Sequence, residues 1–126
     1  MSNRHGIILF GHGARDQRWA EPFERLASKL RAMRRDPVGL AFLELMTPDL
    51  PGAISALAAD GCDAVTVVPV FFGQGGHVRR DLPEVIDRCR AMHPSIEIRC
   101  AVTVGEDEGV LDAVADYCLK QLGDKT

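Results

Sequence analysis

The chain has 126 residues, 46% of them hydrophobic and 26% charged, with a net charge of −3. That is the length of a single α/β domain over residues 1–126; the composition excludes a disordered chain, and the charge offers no basic surface for nucleic acid. No apolar run approaches the roughly 18 to 20 residues of a membrane-spanning helix, and Ile7–Phe10 is too short for a signal-peptide core, so a soluble, cytoplasmic protein without a membrane partner is expected.

Gly6-Ile7-Ile8-Leu9-Phe10 is a continuous apolar run ending at Gly11, the pattern of a strand buried on both faces. Trp19, Phe23, Leu26, Ala27, Leu30 and Met33 then recur at spacings of three and four, which predicts a helix that Pro37 stops. Val38 to Leu45 is a second apolar run. Thr47-Pro48-Asp49 reads as a helix start with Thr47 as cap, followed by the stripe Leu50, Ile54, Leu57 and Ala58 and a stop at Gly61. Ala64 to Val70 is the third strand, rich in Val and Thr. A glycine-rich loop, Phe72 to His77, precedes Asp81-Leu82-Pro83-Glu84, which resembles a capping box for a helix carrying Val85, Ile86, Cys89 and Met92; a start one turn earlier is also open. Ile96 to Ala101 alternates apolar and polar, as an edge strand does. Glu106, Asp107 and Glu108 open a last helix with the stripe Val110, Leu111, Val114, Cys118 and Leu122.

Four β-α units imply a four-stranded parallel sheet, in the common order 2-1-3-4, with helices on both faces: a flavodoxin-like three-layer sandwich. Such sheets bind ligands beyond the carboxyl ends of their strands, where strand order reverses, here between strands 1 and 3. Gly11-His12-Gly13-Ala14-Arg15-Asp16 follows strand 1, Glu44 ends strand 2, and Gly75, Gly76, His77, Arg79 and Arg80 follow strand 3. His12 and His77 therefore flank the expected binding point, with Glu44 on the next strand. Each has a plainer reading, as a turn residue, a solvated loop histidine and a surface carboxylate.

Two imidazoles and a carboxylate suit a borderline divalent metal such as cobalt, nickel, iron or zinc. Without thiolates such a site binds loosely, which suits one that releases its metal. Arg15, Arg79 and Arg80 would hold a carboxylate-rich or phosphate-bearing ligand, or are simply solvated. His5 and His93 are read as surface or helix-end residues. Cys62, Cys89, Cys100 and Cys118 form no CxxC pair and are expected to be reduced thiols, three of them on apolar faces. GHGARD lacks the third glycine of a dinucleotide loop, no Walker lysine follows either glycine loop, and no GxSxG occurs, so nucleotide binding and nucleophilic catalysis are not favoured.

GHGARDQ, AFLELMTPDLPGAI and VVPVFFGQGGHVRRDLP closely resemble the small CbiX-type sirohydrochlorin chelatases, in order and without large gaps from about residue 4 to about residue 122. The resemblance implies a lyase that inserts a divalent metal, cobalt or else iron or nickel, into the tetrapyrrole sirohydrochlorin on routes to cobalamin or sirohaem. By position it assigns His12 and His77 to the metal, with Glu44 as the acidic residue of the AFLE segment. Arg15, Gly75, Gly76, Arg79 and Arg80 are then expected to hold the substrate, with no permanent cofactor. Larger relatives carry two such units in one chain, so the small form is expected to pair as a homodimer. Ala14 stands where many relatives have Ser, and Gly73-Gln74 replaces more apolar loop residues. A rival from another class is a non-catalytic metal or tetrapyrrole carrier using the same two histidines. A phosphate-binding domain cradled by Gly73 to Gly76 would explain neither histidine.

Overall fold

The structure is a computed structural model that describes residues 4–73 and 75–123, His77 by its backbone alone. The strands are β1 (Arg4–Gly11), β2 (Val38–Phe42), β3 (Cys62–Pro69) and β4 (Glu97–Cys100). The helices are α1 (Glu21–Met33), α2 (Leu50–Ala59), α3 (Gly76–Met92) and α4 (Glu108–Lys120). The strands form one sheet in the order β2-β1-β3-β4, and every pairing is parallel. The expected topology and strand direction are thus observed.

Period-two alternation sends successive side chains of the central strands to opposite faces. Ile8 and Phe10 of β1, Val65 and Val67 of β3, and Ile98 of β4 point to one face. There they pack against Leu50, Ile54 and Leu57 of α2 and Leu82, Ile86 and Cys89 of α3. Ile8, Ile54, Val65, Val67 and Cys89 are fully buried; each large apolar side chain removed from water contributes about 1.5–3 kcal/mol. Leu9 and Val38 face the other way, against Ala27 of α1, with Leu30 and Val68 beside them. Of the α1 stripe only Phe23 and Ala27 are buried; Met33 is 79% exposed. Trp19 and Phe23 of the apolar stripe join Phe42 and Met46 in one cluster.

Several sequence-based boundaries move, each for a local reason. β2 ends at Phe42 rather than Leu45, because Leu45 turns the chain with a φ of 68°. Thr47 does not cap α2; Asp49 does, accepting from the Gly52 N–H at 2.9 Å, and Pro51 occupies the tolerant first turn. α3 takes the earlier of its two possible starts, at Gly76 rather than Asp81, and carries Pro83 inside it. Burial decides this: Val78, Leu82, Ile86 and Cys89 form one stripe on the core, which outweighs the lost proline hydrogen bond. The stripe of α4, expected to be buried, is not; no residue of that helix is buried.

Candidate functional site

At the carboxyl edge of the sheet β1 and β2 keep pairing beyond their regular ends. The Leu43 N–H donates to the Gly11 carbonyl at 2.9 Å, and the Glu44 N–H to the His12 carbonyl at 3.1 Å. Gly13 then turns away with a φ of 99°, and a Cβ there would lie 1.8 Å from the Glu44 carbonyl oxygen. Only glycine fits both constraints. Leu45, on the other side, holds the left-handed conformation without being glycine, a locally strained choice.

Between these two turns the His12 Nε2 stands 3.3 Å from a Glu44 carboxylate oxygen. Their side chains are 44% and 49% exposed, so water screens the pair and its ligand-type atoms remain open to solvent. Phe71, just beyond β3, closes the other side: its ring lies edge-on to His12 at 6.4 Å and to Phe10 at 6.0 Å. The imidazole thus sits between a carboxylate from the β2 side and an aromatic wall from the β3 side, at the point where strand order reverses.

The remaining sequence candidates lie along the same edge. Arg15 is exposed in the β1–α1 connection. Gly75 is the N-cap of α3 and offers no side-chain cap, so the positive end of this 17-residue helix opens here. Gly76, Arg79 and Arg80 are exposed within its first turns. His77, expected in a loop, is the second residue of the helix, and its side chain lies outside the described residues. Among the described residues no three His, Cys, Asp or Glu side chains gather closely enough to hold a metal by themselves.

His5 and His93 are at the opposite, amino edge. His5 Nε2 is 2.7 Å from the Thr66 hydroxyl, and His93, the C-cap of α3, is 3.1 Å from the Ser55 hydroxyl. All four cysteines are free thiols; Cys62 and Cys89 are buried, and burial pushes both thiols up, which works against thiolate ligation. Cys118 lies on the apolar stripe of α4 but is exposed, as is Cys100. A cavity of about 250 Å³ lies under α3 between Leu82, Ile86, Arg90 and Cys100, away from His12.

Sequence reading missed two contributors. Phe71 was visible only as a continuation of the third strand, with nothing to mark its contact with His12. Asp16, in contrast, carries a recognisable signal, a helix-capping residue before an aromatic stripe. It accepts from the Arg18 backbone N–H at 2.9 Å and holds the Arg18 guanidinium at 2.8 Å. That side-chain hydrogen bond holds its carboxyl below the usual carboxylate range.

The fold is that of a doubly wound α/β protein, and it brings His12, Glu44 and the start of α3 to the carboxyl edge of its sheet. The sequence profile of the CbiX family matches residues 6–120, and the chain belongs to that family. It is 34% identical over 111 residues to a sirohydrochlorin cobaltochelatase of Saccharolobus solfataricus, covering 83% of this chain and 86% of that one. It is also 35% identical over 81 residues to the sirohydrochlorin cobaltochelatase of Methanothermobacter thermautotrophicus, covering 64% of this chain and 57% of that one. Against the sirohydrochlorin ferrochelatase of Bacillus subtilis, identity is 30% over 121 residues, covering 95% of this chain but only 46% of the larger protein. The chain therefore spans about half the length of some curated relatives and nearly all of others.

Among solved structures, a CbiX protein from Marinobacter aquaeolei superposes with a TM-score of 0.83 at 35% identity, covering 94% of this chain and 97% of that one. SirB of Bacillus subtilis, solved with Fe3+, superposes with a TM-score of 0.78 at 29% identity, covering 95% of this chain and 48% of that one.

Proposed function

We propose that this protein is a metal chelatase that inserts a divalent cation, cobalt or else iron or nickel, into sirohydrochlorin. The observation that carries this reading is the solvent-facing His12–Glu44 pair at the strand-order reversal, in a chain that matches the CbiX family over residues 6–120. His12 and His77 bring the metal to the macrocycle. Both belong to the carboxyl edge, one just after β1 and one in the first turn of α3. Insertion exchanges two pyrrole protons for one dication, so atoms and charge balance without oxidation or reduction and no resident redox cofactor is needed. Glu44, beside His12 Nε2, is placed to take one of those protons or to share the cation. Arg15, Arg79, Arg80 and the backbone N–H groups at Gly75 and Gly76 supply positive potential for the carboxylates of the tetrapyrrole.

A macrocycle is large beside one 126-residue unit, and we propose that two chains pair with their carboxyl edges facing a shared cleft. No described helix is long and apolar enough to cross a membrane. The free thiols suit the reducing cytoplasm, where we place the protein.

The test is direct. Mixing the purified protein with sirohydrochlorin and cobalt(II) or iron(II), and following the absorbance change, should show catalytic turnover. A stoichiometric change without turnover supports the carrier instead. His12→Ala and His77→Ala should each lose insertion, whereas His5→Ala and His93→Ala, at the far edge, should retain it.

A further inference from the structure

Leu45 is held against its own preferences. Its φ of 68° lies in the left-handed region, where glycine and asparagine are at ease and leucine is strained. Its side chain is also 56% exposed, so burial returns little of that cost. The neighbouring residues explain the turn but not the leucine. Leu43 packs against the core on the α2–α3 face, and Met46 is buried beside Phe23 and Phe42. The chain must change direction between them, and the Phe42 N–H closes the turn on the Pro48 carbonyl at 2.9 Å. A glycine at this position would make the same turn without strain and without exposing an apolar side chain.

A second exposed apolar side chain belongs to the same edge. Phe72, beyond β3, is 67% exposed, yet its backbone is seated tightly. The Gly105 N–H donates to the Phe71 carbonyl at 2.9 Å, and a Cβ on Gly105 would fall 1.9 Å from the Phe72 carbonyl oxygen. Leu45 is anchored in the same way, because the Glu44 N–H before it donates to the His12 carbonyl at 3.1 Å. The sheet order β2-β1-β3 sets Leu45 and Phe72 on either side of His12, two strand spacings apart, about 10 Å. The solvent-facing His12–Glu44 pair thus lies between two apolar side chains, each carried on hydrogen-bonded backbone.

We propose that Leu45 and Phe72 are substrate-contacting residues, two apolar banks on which the flat face of the tetrapyrrole rests while its nitrogens lie over His12. The inference rests on the chelatase reading and names contacts that hold the macrocycle rather than the metal. Two side chains around a polar pair do not approach the ~800 Å² that a protein partner needs on its own side. They do match a small-ligand site, in which apolar walls surround a few polar groups that fix orientation. The uncapped start of α3 lies on the same edge, so carboxylates at the rim of the ring meet positive potential while its π-face meets hydrocarbon. Strain held at a functional site preforms a contact at the expense of stability. Leucine at position 45 therefore gives up stability for affinity.

Binding of metal-free sirohydrochlorin tests it. Trp19 is the only tryptophan of the chain and packs beside Gly11, the residue before His12, so quenching of its fluorescence reports the bound macrocycle. Leu45→Asn suits the left-handed backbone and removes the apolar contact. Its denaturation midpoint should equal or exceed the parent's, while its Kd for sirohydrochlorin should rise about five- to tenfold. KM for cobalt(II) at saturating sirohydrochlorin should stay unchanged. Phe72→Ser should weaken binding to a similar degree, and Leu45→Met should retain it. Leu45→Asn binding sirohydrochlorin as tightly as the parent overturns the proposal. A lower midpoint in Leu45→Asn also overturns it, because the leucine then serves the fold. Either result alongside metal insertion by the parent leaves the chelatase reading standing. A parent that binds through both residues but turns over no metal overturns that reading and leaves this one; a parent that binds no sirohydrochlorin overturns both.

Discussion

The two edges of the sheet treat their polar groups in opposite ways. At the amino edge, polar groups are tied to one another. The Arg34 guanidinium bonds the Asp36 carboxylate at 2.8 Å and also reaches the His5 carbonyl; Arg4 donates to the Asp60 carbonyl at 2.8 Å. At the carboxyl edge, the His12–Glu44 pair faces water, two turns use left-handed backbone, and the N-terminus of α3 has no side-chain cap. One edge spends its hydrogen-bonding capacity on holding the chain together; the other leaves the His12–Glu44 pair open to solvent, as the proposed function requires. A substitution at the amino edge should therefore change stability and spare activity, and one at the carboxyl edge should do the reverse.

The largest effect is expected where the carboxyl edge has a structural demand of its own. Gly13→Ala would place a methyl group 1.8 Å from the Glu44 carbonyl oxygen at a φ of 99°. It should displace the His12–Glu44 pair, abolish metal insertion and destabilise the chain by about 2 kcal/mol, read by insertion assay and chemical denaturation. This is the one site position at which both properties should fall together.

His12→Ala should reduce insertion by about a hundredfold or more, because it removes both a proposed metal ligand and a candidate proton acceptor. The side chain is 44% exposed, so the denaturation midpoint should hardly move. A large loss of stability in this variant would break the contrast between the edges. Glu44→Gln keeps the shape and removes the charge; about a tenfold loss in rate at limiting metal is expected, with a smaller loss at saturating metal if Glu44 acts through affinity rather than proton transfer.

The smallest effect belongs to the amino edge. The Arg34 hydrogen bond holds the Asp36 carboxyl below its ordinary value. The stability this lends is present above the unfolded carboxyl value of about 3.9 and is lost as pH falls through the lower folded value. Asp36→Asn should slightly lower the melting temperature near neutral pH and flatten the acid limb of the stability profile in that window. Insertion at neutral pH should be unchanged.

Much of this architecture was legible in the residues. Continuous apolar strands alternating with stripes at spacings of three and four leave few ways to bury both sets, and the parallel sheet is the simplest. Placing His12, Glu44 and His77 on one edge follows from chain direction alone, since every β-to-α connection in a parallel sheet leaves at the carboxyl end. The start of α3 stayed open in the sequence because Pro83 and its acidic neighbours imitate a helix cap; the burial of Val78 extends the stripe a turn further back and decides for the earlier start. What no pattern could supply is contact across the chain: the edge-on packing of Phe71 against His12, the 3.3 Å approach of Glu44, and the exposure of α4. An amphipathic stripe states that a face must be covered, but not by which surface. Only the anchoring of Gly105 beneath Phe72 settles where α4 points, because that direction depends on backbone packing between segments more than thirty residues apart.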